Sequence, residues 1–172
     1  MPRRRAVTPA PPAPDGLALE RQMCFALYAA SLAMTKLYKP LLEPLGLTYP
    51  QYLVMLVLWQ DEGLTVSQLG ERLALDSGTL TPLLKRLQAA GLVQRLRDSA
   101  DERRVLLQLT PGGRALRARA VHVPATLAQA TGCAPGELSD LTARLQALRQ
   151  QLGLATPSPQ ARPDRASTAK KA

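Results

Sequence analysis

LTVSQLGERLALDSGTLTPLLKRLQAAGLVQRLRDSADERRVLLQLT, running from Leu64 to Thr110, is the stretch whose patterning decides the fold. Thr65-Val66-Ser67-Gln68 has the form of a capping box: the Thr65 hydroxyl can accept from the Gln68 backbone N–H while the Gln68 side chain reaches back. The helix it opens turns Val66, Leu69 and Leu73 inward and ends near Ala74. A short turn through Leu75-Asp76 follows, with Asp76 or Ser77 placed to cap a second helix. On that helix Leu80, Leu83, Leu84 and Leu87 keep the i, i+3, i+4, i+7 spacing, and Gly91 stops it. The opposite face carries Thr79, Thr81, Pro82, Lys85 and Arg86. Pro82 lacks an N–H and fits best in a first turn. Either the helix begins at Thr81, or it begins at Ser77 and accepts a local distortion; the second is preferred.

Leu92 to Arg97 and Val105 to Leu109 then alternate as two strands, joined by the charged tip Asp98 to Arg104. Helix, turn, helix and hairpin in this order make a winged helix-turn-helix, and that fold predicts binding to double-stranded DNA. Hydroxyls and cations on one solvent face suit base edges and phosphates in a major groove, so Ser77, Thr79, Thr81, Pro82, Lys85 and Arg86 are the expected contacts. At the hairpin tip Arg103 and Arg104 offer guanidinium groups to a narrow minor groove, with Asp101 beside them. Between Arg72 and Arg119 ten basic residues face four acidic ones, so the positive charge concentrates here. The competing interpretation is a solvated basic surface on an unrelated α+β domain; a basic patch alone would not exclude it, but the order of elements favours DNA.

The 172 residues allow one ordinary domain with a sizeable core. Residues 1–16 hold five prolines and Arg3-Arg4-Arg5, and residues 153–172 are rich in Pro, Ser, Ala and Lys. Both are expected to be basic tails, with net charges of +2 and +3, around a central segment 17–152 of +4. They would add sequence-independent attraction to phosphates, or simply aid solubility. No apolar segment follows the three arginines as an export signal requires, and the longest apolar run, Tyr52 to Trp59, is too short to cross a bilayer. A cytoplasmic protein without membrane contact is therefore expected. Cys24 and Cys133 form no metal-ligand pattern, and His122 is the only histidine. Neither a glycine-rich phosphate loop nor a Ser-His-Asp set is present. No cofactor, metal or enzymatic activity is expected.

Helices flank the winged segment on both sides. The first is expected from Leu19 to Lys39, ending before Pro40, and another from Pro50 to Gln60. After the hairpin, Thr110 caps and Pro111 begins a long helix reaching about Thr131, bent at Pro124. A last helix from Pro135 shows Leu138, Leu141, Leu145, Leu148 and Leu152, a narrow seam suited to pairing. The expected organisation is a winged helix over 50–110 with dimerisation helices over 17–44 and 111–152. A two-fold homodimer would then read a pseudo-palindromic operator. The alternative is a seam that packs only within its own chain.

On the first helix Cys24, Tyr28, Ser31, Thr35 and Tyr38 fall within about 40° of one line at 100° per residue. Tyr28 is one turn from Cys24. Tyr38 is roughly 21 Å along the same helix, so it reaches Cys24 only from an antiparallel partner, and Tyr49, in a turn, can converge similarly. Phenolic O–H groups around a sulfur would stabilise its thiolate, the form that attacks peroxide oxygen. From spacing alone the plainer interpretation prevails: a small buried hydrophobe among core aromatics.

These residues resemble MarR-type winged-helix repressors and, among them, the organic-hydroperoxide-sensing OhrR group. Asp98-x-x-Asp101-x-Arg103 before Leu109-Thr110 resembles the MarR wing, and Gln22-Met23-Cys24-Phe25-Ala26-Leu27-Tyr28 resembles the sensor helix. Leu45 to Tyr52 and Leu75 to Leu87 are also similar, so the likeness spans about residues 19–152. The resemblance reverses the assignment of Cys24, implying a peroxide-reactive thiol held by Tyr38 and Tyr49 of the other subunit. It implies that Arg103 enters the minor groove with Asp101 positioning it. Cys133, before Ala134-Pro135, is similar to a resolving cysteine that joins Cys24 of the partner chain in an intersubunit disulfide. The implied protein is a dimeric repressor that leaves its operator when an organic hydroperoxide oxidises Cys24, with a thiol peroxidase among the regulated genes. Its rivals are a MarR-type repressor released by a small aromatic ligand, a cysteine-dependent peroxidase, and an architectural DNA binder that senses nothing.

Overall fold

Residues 16–97 and 104–155 are described by the computed structural model. The hairpin tip with Asp101 and Arg103, residues 1–15 and residues 156–172 lie outside them. In chain order the elements are α1 (Met23–Leu42), α2 (Tyr49–Gln60), β1 (Leu64–Thr65), α3 (Val66–Leu73), α4 (Ser77–Ala89), β2 (Val93–Arg97), β3 (Val105–Leu109), α5 (Pro111–Ala120), α6 (Val123–Thr131) and α7 (Pro135–Ala155). Single 3₁₀ turns occupy Leu19–Arg21 and Glu43–Leu45. The fold is mainly helical with a small antiparallel sheet, as expected. The chain divides into two compact units between Leu127 and Ala128.

The first unit is built on α2, α3, α4 and the sheet. Val54, Met55 and Leu58 of α2, Leu69 of α3, Leu80, Leu84 and Leu87 of α4, and Leu107 of β3 are fully buried. Each such side chain contributes about 1.5–3 kcal/mol of apolar burial. The sheet runs in the order β1-β3-β2, with Val93 opposite Leu109, Arg95 opposite Leu107 and Leu64 opposite Leu107 on the other side. The hairpin strands lie where alternation placed them. The two-residue strand β1 was not foreseen: so short a segment carries no period of its own, and only the edge of β3 makes it a strand.

Three boundaries differ from expectation. Gln22 is extended (φ −82°, ψ 113°), so α1 opens at Met23 rather than Leu19. It also runs past Lys39 and contains Pro40. A proline so close to a helix end forfeits one backbone bond, and the Glu43 N–H still reaches the Lys39 carbonyl. The long helix expected from Pro111 to Thr131 is broken rather than bent. α5 stops at Ala120, and α6 restarts at Val123 with Pro124 in its first turn, where a missing N–H costs nothing.

The second unit holds the end of α6 and α7. Gly132 (φ 67°) closes α6 in the left-handed region, and the Glu137 carboxylate accepts from the Ala134 N–H at 2.8 Å to open α7. Along α7 Leu141, Leu145 and Leu152 are 50%, 41% and 52% exposed. Among the described residues no single helix is long and apolar enough to cross a membrane.

Candidate nucleic-acid interface and thiol site

The geometry of α3 and α4 follows from their caps. Thr65 Oγ1 accepts from the Gln68 N–H at 3.2 Å, while Gln68 Oε1 accepts from the Thr65 N–H at 2.9 Å, the reciprocal arrangement read in the sequence. Ala74 takes φ 53° between the helices, and the Leu75 N–H returns to the Gly70 carbonyl at 3.0 Å. A Cβ on Gly70 would stand 2.7 Å from the Leu75 oxygen, so only glycine lets the turn fold this tightly against α3.

Asp76, rather than Ser77, caps α4. Its carboxylate accepts from the Thr79 N–H at 2.8 Å and from the Thr79 hydroxyl at 2.9 Å, and these bonds hold its pKa below the usual carboxylate value. The helix begins at Ser77 with Pro82 inside it, and the Thr81 hydroxyl donates to the Ser77 carbonyl at 2.7 Å. Ser77, Thr79, Pro82, Lys85 and Arg86 are exposed and Thr81 is half-buried, so the expected contact face does look outward. Thr79 and Thr81 already use their hydroxyl protons locally, which leaves their lone pairs and methyl groups for a partner. Gly91 (φ 68°) ends the helix, and the chain enters β2. Arg104 is exposed at the start of the return strand.

A clamp missed in the sequence fixes the hairpin base to α2 and α5. Trp59 Nε1 donates to the Gly113 carbonyl at 2.9 Å. Glu62 accepts from Arg114 Nε at 2.9 Å and Nη2 at 2.6 Å, and from the Leu109 N–H at 3.2 Å. The Arg114 hydrogen bond leads in holding the Glu62 pKa below its ordinary value. Thr110 caps α5 through the Gly113 N–H at 3.0 Å, as expected. A Cβ on Gly113 would run into the Leu92 carbonyl oxygen, so α5 sits directly on the hairpin backbone. Only Trp59, the sole tryptophan, carried any advance signal of this clamp.

Tyr38, Tyr49 and Tyr52 gather beside α2. The Tyr38 and Tyr49 rings are 4.5 Å apart, Tyr38 and Tyr52 5.8 Å, and Tyr52 and Trp59 6.2 Å. Tyr49 is the first residue of α2 rather than part of a turn, because the Thr48 N–H and hydroxyl both donate to Gln51 Oε1 and cap the helix there. Burial first, then Tyr49 and Tyr52, pushes the Tyr38 pKa up to about 12; burial likewise raises Tyr49 and Tyr52. All three therefore remain O–H donors at neutral pH. Cys24 is exposed on α1, and Met23, Phe25, Tyr28 and Leu32 of the same helix are exposed as well. It is not a buried hydrophobe in the single chain, and no described hydrogen bond joins it to the tyrosines. Cys133 is exposed ahead of α7, with its Sγ 3.7 Å from the Thr131 carbonyl. The two cysteines belong to different units.

A helix-turn-helix with an outward basic face, a hairpin and flanking apolar helices is the frame of a winged-helix transcriptional regulator. Comparison with known proteins agrees. The SarA/Rot family of transcriptional regulators matches residues 36–119. An organic hydroperoxide resistance transcriptional regulator of Bacillus subtilis is 49% identical over 138 residues, covering 80% of this chain and 94% of that one. The regulator TtmR of Methylorubrum extorquens is 50% identical over 138 residues, covering 80% and 71%. Reduced AbfR bound to DNA superposes with a TM-score of 0.66 at 33% identity, covering 80% of this chain and 94% of that one. AbfR, a protein of Staphylococcus epidermidis, is also known with its disulfide formed, at a TM-score of 0.52 and 34% identity over 76% and 91%. This chain belongs to the MarR family of winged-helix transcriptional regulators, among the organic hydroperoxide resistance regulators.

Proposed function

We propose that the chain is a cytoplasmic, dimeric repressor that binds a pseudo-palindromic operator when reduced and releases it when an organic hydroperoxide oxidises Cys24. The carrying observation is the separation of thiol and phenols within one protomer: an exposed Cys24 on α1, and a stacked Tyr38–Tyr49 pair with raised pKa values that holds no cysteine. A second copy related by a two-fold axis supplies each with the other. In this assembly α1 and the helices over 111–152 form the shared interface around the winged segment 50–110, and Tyr28 flanks its own chain's Cys24. α4 enters the major groove with Ser77, Thr79, Thr81, Pro82, Lys85 and Arg86. Asp101, Arg103 and Arg104 serve the wing.

The Cys24 thiolate attacks the outer peroxide oxygen; an S–O bond forms, the O–O bond breaks, and the alkoxide leaves with a proton as the alcohol. The partner's Cys133 thiolate then attacks the sulfenic sulfur, forming S–S and releasing hydroxide, which takes a proton to become water. Linkage moves the dimerisation helices and spoils the half-site spacing of about 34–36 Å. Support comes from the hydroperoxide regulator of B. subtilis and from the DNA-bound and disulfide-formed states of AbfR.

The test is a non-reducing denaturing gel after about one equivalent of organic hydroperoxide per thiol. A covalent dimer forms in wild type and is lost in Cys24→Ser and in Cys133→Ser. A dimer that persists in Cys133→Ser removes that residue from the switch. Sustained peroxide turnover with a thiol reductant would instead mark a peroxidase. One observation favours a second reading, a repressor released by a small aromatic ligand: a cavity of about 220 Å³ bordered by Tyr52, Trp59 and Arg117. Full response of Cys24→Ser to an inducer would support it.

A further inference from the structure

Asp61 and Glu62 are consecutive carboxylates at the joint between α2 and β1, and they hold different elements. Asp61 Oδ2 accepts from Arg72 Nη2 of α3 at 2.6 Å. Glu62 gathers two other elements, β3 and α5. Its Oε1 accepts from Arg114 Nε at 2.9 Å, and its Oε2 accepts from Arg114 Nη2 at 2.6 Å and from the Leu109 N–H at 3.2 Å. β1 pairs with β3 only at Leu64 and Thr65, opposite Leu107 and Leu106. Continued by two residues, that register sets position 62 level with Leu109. The carboxylate therefore takes the last N–H of β3 where the backbone strand has ended.

A forked arginine–carboxylate pair fixes an angle as well as a distance. Thr110 alone separates β3 from α5, so the angle fixed here is the one between the hairpin and the helix that follows it. Gly113, the residue before Arg114, is packed on the Leu92 carbonyl between α4 and β2. The first turn of α5 thus meets both the hairpin and the end of α4. The Arg114 and Glu62 side chains are 52% and 34% exposed. Pairs this open contribute little to stability, which leaves orientation as the effect of the bridge. We propose that Glu62 and Arg114 are positioning residues for DNA binding, whose bridge sets the angle of the hairpin so that it and α4 meet one duplex together. Neither side chain need touch DNA. This role requires only the DNA binding of the family and holds whether or not Cys24 is the sensor.

The sign of the effect separates positioning from charge. Glu62→Ala removes a negative charge, so charge alone would tighten binding to phosphates. Positioning predicts the opposite: reduced full-length Glu62→Ala binds roughly fivefold more weakly than wild type. The readout is fluorescence anisotropy on a duplex from upstream of the protein's own gene and, at low salt, on a random-sequence duplex. Arg114→Gln is expected to weaken binding as well, and Glu62→Ala/Arg114→Gln to bind no more weakly than Arg114→Gln alone. Arg114→Lys, which keeps the charge but loses the fork, recovers only part of the affinity. Melting temperatures of these proteins move by no more than about 4 °C. Unchanged or tighter binding by Glu62→Ala overturns the proposal. So does a double substitution that binds like wild type, as charge alone requires. An additive loss in the double substitution, or full recovery in Arg114→Lys, marks an arginine that meets a phosphate by itself and overturns it too. A loss of affinity that comes with a larger fall in melting temperature shows a damaged fold rather than a lost angle, and also overturns it.

Discussion

Tyr38 illustrates how far one residue could be read in advance. Its place on the Cys24 line was visible from spacing, but its stacking on Tyr49 depends on a helix start that only the Thr48–Gln51 cap determines. Its pKa of about 12 in the folded state, against an ordinary value of 10.0, has a consequence for stability. Below pH 10 both states hold the proton and stability is indifferent to this group; between about 10 and 12 the unfolded chain loses it first, so stability falls as pH rises. Urea midpoints at pH 8, 10 and 11 should therefore decline, and Tyr38→Phe should flatten that decline. Trp59 was opaque for a different reason. Its partner Gly113 lies 54 residues away, as Glu62 lies 52 from Arg114, and no local pattern signals such pairs. Trp59→Phe should lose about 1 kcal/mol in urea unfolding followed by circular dichroism.

Elements were legible where their own residues decide them and illegible where a neighbour does. The caps at Thr65 and Thr110, the stop at Gly91 and both hairpin strands were all written locally. β1 exists only because β3 pairs with it, and the gap between α5 and α6 only because the chain turns ahead of Pro124. Within α4, Pro82 sits where it interrupts the backbone ladder, on the exposed face proposed to meet DNA. Pro82→Ala should raise stability by about 1–3 kcal/mol while weakening operator binding. A melt that rises without loss of affinity would remove Pro82 from the contact face. Gly113→Ala should destabilise by about 1–3 kcal/mol, because its Cβ forces α5 off the Leu92 backbone. Lys85→Gln and Arg86→Gln should each lower the salt slope of DNA binding by about 0.9 if each meets a phosphate.

For the whole molecule, the apolar residues left open on α1 and α7 are the strongest argument that one chain is half of the working unit. Met23, Tyr28 and Leu32 on α1, with Leu141 and Leu145 on α7, are all more than 40% exposed. The leucine seam was readable from its 3-4-3-4 spacing; what fills it was not, because a sequence states a periodicity without naming the second surface. Nor could spacing alone separate a sensing thiol from a buried one at Cys24, which the resemblance assigned and its exposure permits. The central claim, that oxidation at Cys24 releases DNA, is tested most directly by fluorescence anisotropy on DNA from upstream of the protein's own gene. Reduced wild type and reduced Cys24→Ser should bind alike. After one equivalent of organic hydroperoxide, wild type should release the DNA and recover with dithiothreitol, while Cys24→Ser stays bound. Release from both proteins, or from neither, would contradict the account.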